Sequence, residues 1–153
     1  MYFFSKQFTL FLPIALIMFF ITSCSTNSNA VCNKEEITKI NEIVNNAGAE
    51  VKDAQKLLKS NKDDSVYVEK LGDIALDAAR QLNAYRVTNQ TSLEFKSRLF
   101  NSYQGTSKAA KDYIKAVKNN NREAAENAGK DSEKFTEERN QILKEMSTNC
   151  NSK

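Results

Sequence analysis

The strongest constraint on this chain is a repeat of apolar and small residues at alternating three- and four-residue steps. It recurs in four segments of nearly equal length. The first seam is Ile37, Ile40, Val44, Ala47, Val51, Ala54, Leu58, and the second Val68, Leu71, Ala75, Ala78, Leu82, Tyr85. The third is Leu99, Tyr103, Thr106, Ala110, Tyr113, Val117, and the fourth Ala125, Ala128, Ser132, Phe135, Arg139, Ile142, Met146. Such stripes belong to helices that cross at a shallow angle in a left-handed bundle. Polar stretches separate them at Ser60-Asn61-Lys62-Asp63, Val87-Thr88-Asn89-Gln90 and Asn119-Asn120-Asn121. Short connections make consecutive helices antiparallel neighbours. The expected fold is therefore all-α, an antiparallel up-down-up-down four-helix bundle. Its helices are expected at about 34–59, 65–87, 92–118 and 121–147, each roughly 40 Å long.

Local signals agree with this division. Asn33 with Glu36, Thr91 with Glu94, and Asn120 with Glu123 have the spacing of a capping box. In that motif the first side chain accepts from an early helical N–H while the glutamate reaches back. Asp64 or Ser65 is expected to cap the second helix. One proline and four glycines in 153 residues leave few turn formers for a sheet protein. Pairs such as Glu35/Lys39, Glu94/Arg98 and Glu126/Lys130 place acid and base on exposed helical faces, each contributing about 0.2–0.5 kcal/mol.

The missing residue types exclude much chemistry. With no histidine, haem bundles, the Glu-x-x-His di-iron pattern and nucleophile–histidine pairs are ruled out. Cys32 and Cys150 have no nearby second thiol of the kind zinc sites use. Phosphate-binding and dinucleotide-binding glycine motifs are absent from the sequence. No catalytic or metal-ligating set emerges, and the chain is expected not to be an enzyme. A Ser–Lys dyad is compatible with the composition, but nothing locates one. Beyond Lys6 the charges stand at 21 basic against 19 acidic, too balanced for nucleic-acid binding.

Residues 1–23 have a different character. Lys6 and the amino terminus supply positive charge, and Phe8 to Ile21 is apolar apart from Thr9 and Pro13. About 14 residues is short for a membrane span and suits the core of a signal peptide. An uncleaved signal anchor and an ordinary signal-peptidase site are alternative readings. Ile21-Thr22-Ser23-Cys24 closes the run, and it resembles the lipobox of a bacterial lipoprotein. The resemblance implies cleavage before Cys24, which then carries a covalent diacylglycerol and a further acyl chain such as palmitate. Several acyl chains anchor a protein stably where one holds it only marginally. Ser25, where an aspartate commonly retains lipoproteins in the inner membrane, leans toward the outer membrane, facing the periplasm in a diderm cell. Residues 24–31 then read as the lipidated cysteine and a flexible tether, and 32–153 as the exported domain.

Export bears on the two remaining cysteines. An exported pair is expected to form a disulfide, although two free thiols are the other possibility. An up-down bundle brings the start of its first helix and the end of its fourth to one end, which suits a Cys32–Cys150 bridge. Gly48, Gly72, Gly105 and Gly129 fall one per helix near mid-height. They read either as a narrow waist that something approaches or as ordinary tolerance of small residues. Arg139 interrupts the fourth seam; it is expected to snorkel outward or to meet a carboxylate. Tyr67, Tyr85, Tyr103 and Tyr113 are expected in the core or at its boundary.

The expected function is that of a membrane-anchored, non-enzymatic helical lipoprotein acting through a protein partner at the cell envelope, as adaptor, inhibitor or accessory subunit. The layout of lipobox and helical bundle resembles that of cyanobacterial PsbQ-type lipoproteins of photosystem II. That likeness implies an accessory subunit of a membrane complex. A small-ligand-binding protein and a structural envelope protein are further alternatives. The composition gives no reading of oligomeric state.

Overall fold

The computed structural model describes residues 32–60 and 64–151. The expected signal peptide, the lipobox Ile21, Thr22, Ser23 and Cys24, and the tether to Val31 lie outside the described residues. Four α-helices and no strand occur among those that are described: α1 (Lys34–Ser60), α2 (Asp64–Ala84), α3 (Gln90–Lys118) and α4 (Arg122–Asn151). The fold is all-helical and fits a helical bundle.

The core follows the apolar stripes. Ile37, Ile40, Ile43 and Ala47 of α1 pack into one cluster with Ile74, Ala75, Ala78, Ala79 and Leu82 of α2. Phe95, Leu99 and Tyr103 of α3 join it, with Ile142 and Met146 of α4. Ile40, Leu82, Leu99 and Met146 lose essentially all contact with solvent. A side chain of this size contributes about 1.5–3 kcal/mol when fully buried. Away from this cluster the buried positions of α3 and α4 turn small, with Ala109, Ala110, Ala116, Ala125 and Ala128. The long apolar side chains thus concentrate toward one end of the molecule, the end that holds Cys32 and Cys150.

Packing is uneven among the helices. α3 runs along both α2 and α4, whereas α1 lies chiefly on α2 and meets α3 at only a few points. Its backbone approaches α4 less still. The disulfide between Cys32 and Cys150, with Cα atoms 5.3 Å apart, joins the approach to α1 to the end of α4.

Helix ends differ from the expected ones in an instructive way. Asn33 does cap α1, its Oδ1 accepting from the N–H groups of Glu35 and Glu36 at 3.0 and 3.2 Å. Glu36 does not reach back; the Asn33 N–H donates instead to Ser92 Oγ of α3 at 3.2 Å. α2 ends at Ala84, three residues before the expected Val87, because the chain leaves the helix to bring Thr88 and Asn89 to the Glu36 carboxylate. α3 is capped by Asn89, not Thr91: its extended backbone (φ −73°, ψ 129°) lets Oδ1 accept from the Ser92 N–H at 2.9 Å.

The α3–α4 turn uses each asparagine differently. Asn120 takes a left-handed conformation at φ 53°, which asparagine tolerates better than most residues. Its N–H donates to Val117 O while the Asn121 N–H donates to Ala116 O. This pair of bonds is a Schellman ending. Asn121, not Asn120, then caps α4 by accepting from the Ala124 N–H at 3.0 Å.

Exposed ion pairs also form with different partners. Lys39 pairs with Glu42 and Arg122 with Glu126 along their own helices, while Arg98 crosses to Glu145 of α4 at 2.6 Å. The side chains of the crossing pair are each about one-third exposed, so its contribution is modest.

Two glycines mark where helices meet most closely. A Cβ on Gly72 of α2 would sit 2.8 Å from the Ala110 Cβ of α3, and one on Gly105 of α3 would sit 2.5 Å from the Phe135 ring of α4. Alanine at Gly72 gains about 1 kcal/mol of helix propensity but must push two helices apart, an overpacking cost of about 1–3 kcal/mol. Gly72→Ala should therefore lower the midpoint of urea unfolding, and Ala110→Gly in the same chain should restore part of the loss.

Candidate functional site

The polar centre at the disulfide end is built from Glu36. Its side chain is buried although charged. One carboxylate oxygen accepts from the Thr88 N–H at 2.8 Å and the Thr88 hydroxyl at 2.9 Å. The other accepts from the Asn89 N–H at 3.3 Å. The Thr88 N–H above all holds the carboxyl below its ordinary value of 4.5, overcoming burial, with the Thr88 hydroxyl, Asn89 N–H and Ser92 hydroxyl adding to it. A carboxylate that accepts several N–H bonds is favoured in its charged form. Glu36 thus fastens the first turn of α1 to the α2–α3 connection, one turn from Cys32. Its bonding is complete enough to read as structural.

The mid-height glycines do not converge on one feature. Gly72 is buried against Ala110, and Gly105 lies under Phe135. Gly48 and Gly129 are half-buried. A cleft of about 440 Å³ opens beside Gly72 between α2 and α3. Glu69 and Asp73 line it from α2; Ala110, Lys111, Ile114, Lys115 and Lys118 line it from α3. Acids face bases across it, so its charges largely offset one another.

Arg139 takes neither of its two expected arrangements. Its guanidinium lies over the Tyr103 ring, 4.6 Å from the centroid, a cation–π contact. It also donates to the Thr106 and Thr136 hydroxyls, each at 3.4 Å. Loss of water pushes its pKa down, and burial pushes that of Tyr103 up. Sequence reasoning marked the seam position of Arg139 but gave it no role; Tyr103, four residues beyond Leu99 on α3, was the available signal for a stacking partner.

Of the tyrosines, Tyr67 and Tyr103 are buried, and Tyr85 and Tyr113 are half-buried. Among the described residues, the exposed large apolar side chains are Val66 and Leu93. No helix among those residues is long and apolar enough to cross a membrane. No cluster of three or more histidine, cysteine or carboxylate side chains able to hold a metal occurs among them. The chain matches no protein-family model, no curated protein and no solved structure.

Two measurements check this end of the molecule. By loop entropy, closing the 118-residue separation contributes about 5 kcal/mol; Cys150→Ser should lower urea-unfolding stability by an amount of that order. For Glu36 the lowered folded pKa means that its stabilisation is present above about pH 4.5 and lost as pH falls through the folded value. Glu36→Gln should therefore unfold at lower temperature near neutrality and show a shallower loss of melting temperature on acidification.

Proposed function

We propose that this chain is a lipid-anchored, non-enzymatic helical lipoprotein that acts at the cell envelope by presenting its helical domain to a protein partner. The observation that carries the reading is the sequence Ile21-Thr22-Ser23-Cys24 at the end of a short apolar run with Lys6 before it. Cleavage there leaves Cys24 as the lipid-bearing terminus and Ser25 as its neighbour. The Cys32–Cys150 bridge supports it, because structural disulfides belong to oxidising compartments. The lipid attaches eight residues from the bridged cysteine, and the bridge then keeps that end of the domain from fraying.

The proposed arrangement of the domain is an up-down-up-down bundle. It is supported by pairings that run in opposite directions along neighbouring helices. Lys96 near the start of α3 donates to Tyr85 O just past the end of α2, while Gly72 early in α2 lies against Ala110 late in α3. Arg98 early in α3 meets Glu145 late in α4, and Ser102 meets Phe135 O. Both termini of the domain then lie on the membrane-proximal side.

Among the described residues the exposed large apolar side chains are Val66 and Leu93, and most of the exposed positions are charged or polar. The partner contact proposed is accordingly polar, made by charged helical faces, as in transient complexes whose rims are solvated. An accessory role in a membrane complex, like that of the PsbQ-type lipoproteins, remains the second form of this proposal. It rests on the order of lipobox and helical domain alone.

The test is crosslinking in the native membrane followed by identification of what is captured, with metabolic lipid labelling in parallel. Labelling should be abolished by Cys24→Ala, and one protein should be captured reproducibly by the wild-type chain. Labelling that persists in the variant overturns the anchor. Capture of lipid alone overturns the adaptor.

A further inference from the structure

Among the described residues Arg139 carries a charge with no ion-pair partner. The guanidinium has five N–H donors and stays protonated at any ordinary pH. Its two hydrogen bonds go to the Thr106 and Thr136 hydroxyls, both at 3.4 Å, the long end of the range. No carboxylate among the described residues forms an ion pair with it. The Tyr103 ring stacks on one face at 4.6 Å and supplies no acceptor in the guanidinium plane. Three of the five N–H groups are thus left without a protein acceptor, on a side chain only partly open to solvent.

The position on α4 fits an inward-looking site. Arg139, Leu143, Met146 and Cys150 share a helical stripe by their three- and four-residue spacing. Met146 is in the core, and Cys150 is bridged to Cys32 ahead of α1. Arg139 continues that stripe about three turns from the bridge and meets α3 through Tyr103 and Thr106. One turn past Tyr103 on α3, facing Gly72 of α2, there is a second unmet polar group. Ser107 shares the stripe of Tyr103, is 3% exposed, and its hydroxyl has no hydrogen-bond partner. Buried polar groups are ordinarily satisfied, and an arginine set aside from water is ordinarily paired.

We infer that Arg139, with the Thr106 and Thr136 hydroxyls beside it and Tyr103 as a stacking floor, forms a binding site for a small carboxylate anion. A planar guanidinium offers a carboxylate two parallel N–H bonds, a match that a lysine ammonium does not reproduce. Held flat on Tyr103, the fork has little rotational freedom left to lose when the anion arrives. The Thr106 and Thr136 hydroxyls donate to the Ser102 and Ser132 carbonyls at 3.0 and 2.9 Å and accept from the guanidinium, so they hold the fork in place while its remaining N–H groups take the anion. This site lies where Arg139 of α4 meets α3, and it is independent of the polar partner surface proposed above.

The experiment uses the full-length chain in detergent micelles, titrated with sodium acetate against sodium chloride at constant ionic strength. The Arg139 Nε–Hε resonance, assigned by its loss in Arg139→Met, is followed by NMR, and the melting temperature is recorded alongside. The resonance should move along a saturating curve with half-saturation on the order of millimolar, and acetate should raise the wild-type melting temperature above that in chloride. Arg139→Met should fold and give the same melting temperature in both salts. A wild-type resonance that does not move, or moves linearly without saturation, overturns the site. So does an acetate effect on melting that is equal in wild type and variant.

Discussion

The fold depends on how the start of α1 is fastened. Helices α2, α3 and α4 pack extensively on one another in sequence, but α1 leans mainly on α2. Two tethers within one turn of each other make up for this. Cys32 is bonded to Cys150 at the far end of the chain, and Glu36 accepts three donors from Thr88 and Asn89. One tether reaches the end of α4 and the other the α2–α3 connection, so the start of α1 and the residue leading into it are bound to both. The longest apolar side chains gather at the same end, where Leu82, Leu99 and Met146 meet Ile40. Covalent closure, a buried charged acceptor and dense packing thus coincide.

At the opposite end Tyr67 and Val68 of α2 are buried, but α2, α3 and α4 meet there largely through small residues. Gly72 lets Ala110 come within reach of the α2 backbone, and Ala125 and Ala128 continue the small face on α4. Helices that meet through small residues lose apolar area per contact but gain many short-range dispersion contacts. The difference between the ends gives the domain a rigid pole and a lighter one. In the proposed lipoprotein the rigid pole is the one beside the anchor, where pulling force enters.

How much of this was legible depends on the range of the interaction. The helical stripes were readable because the period of a helix is local and each seam contains enough apolar residues to show it. The pairing of Cys32 with Cys150 was readable because, with Cys24 set aside as the expected lipid carrier, the two remaining thiols admit one bridge. Of the caps read at the starts of α1, α3 and α4, Asn33 holds its place and the other two are misplaced. Thr91 and Asn120 have suitable side chains, yet Asn89 and Asn121 hold the positions, since the Glu36 carboxylate and the left-handed Asn120 decide where the chain turns. The ion pairs were misassigned because exposed lysines and arginines reach several acids and the sequence does not rank them; Arg98 even leaves its own helix for Glu145. The glycines were read either as a waist or as ordinary tolerance of small residues, and the sequence did not show that Gly72 lies against Ala110 and Gly105 against Phe135. Arg139 shows the limit most clearly, since a charge on a seam is visible in the sequence and its place over Tyr103, with no ion pair among the described residues, is not.

Hydrogen exchange of the individual backbone amides, compared between the oxidised and reduced protein, tests the fastening of α1 most directly. Reduction should lower protection mainly in α1, greatest in its first turns, while the amides of α3 facing α2 and α4 keep most of theirs. Equal loss across all four helices, or unchanged protection in α1, would contradict the account.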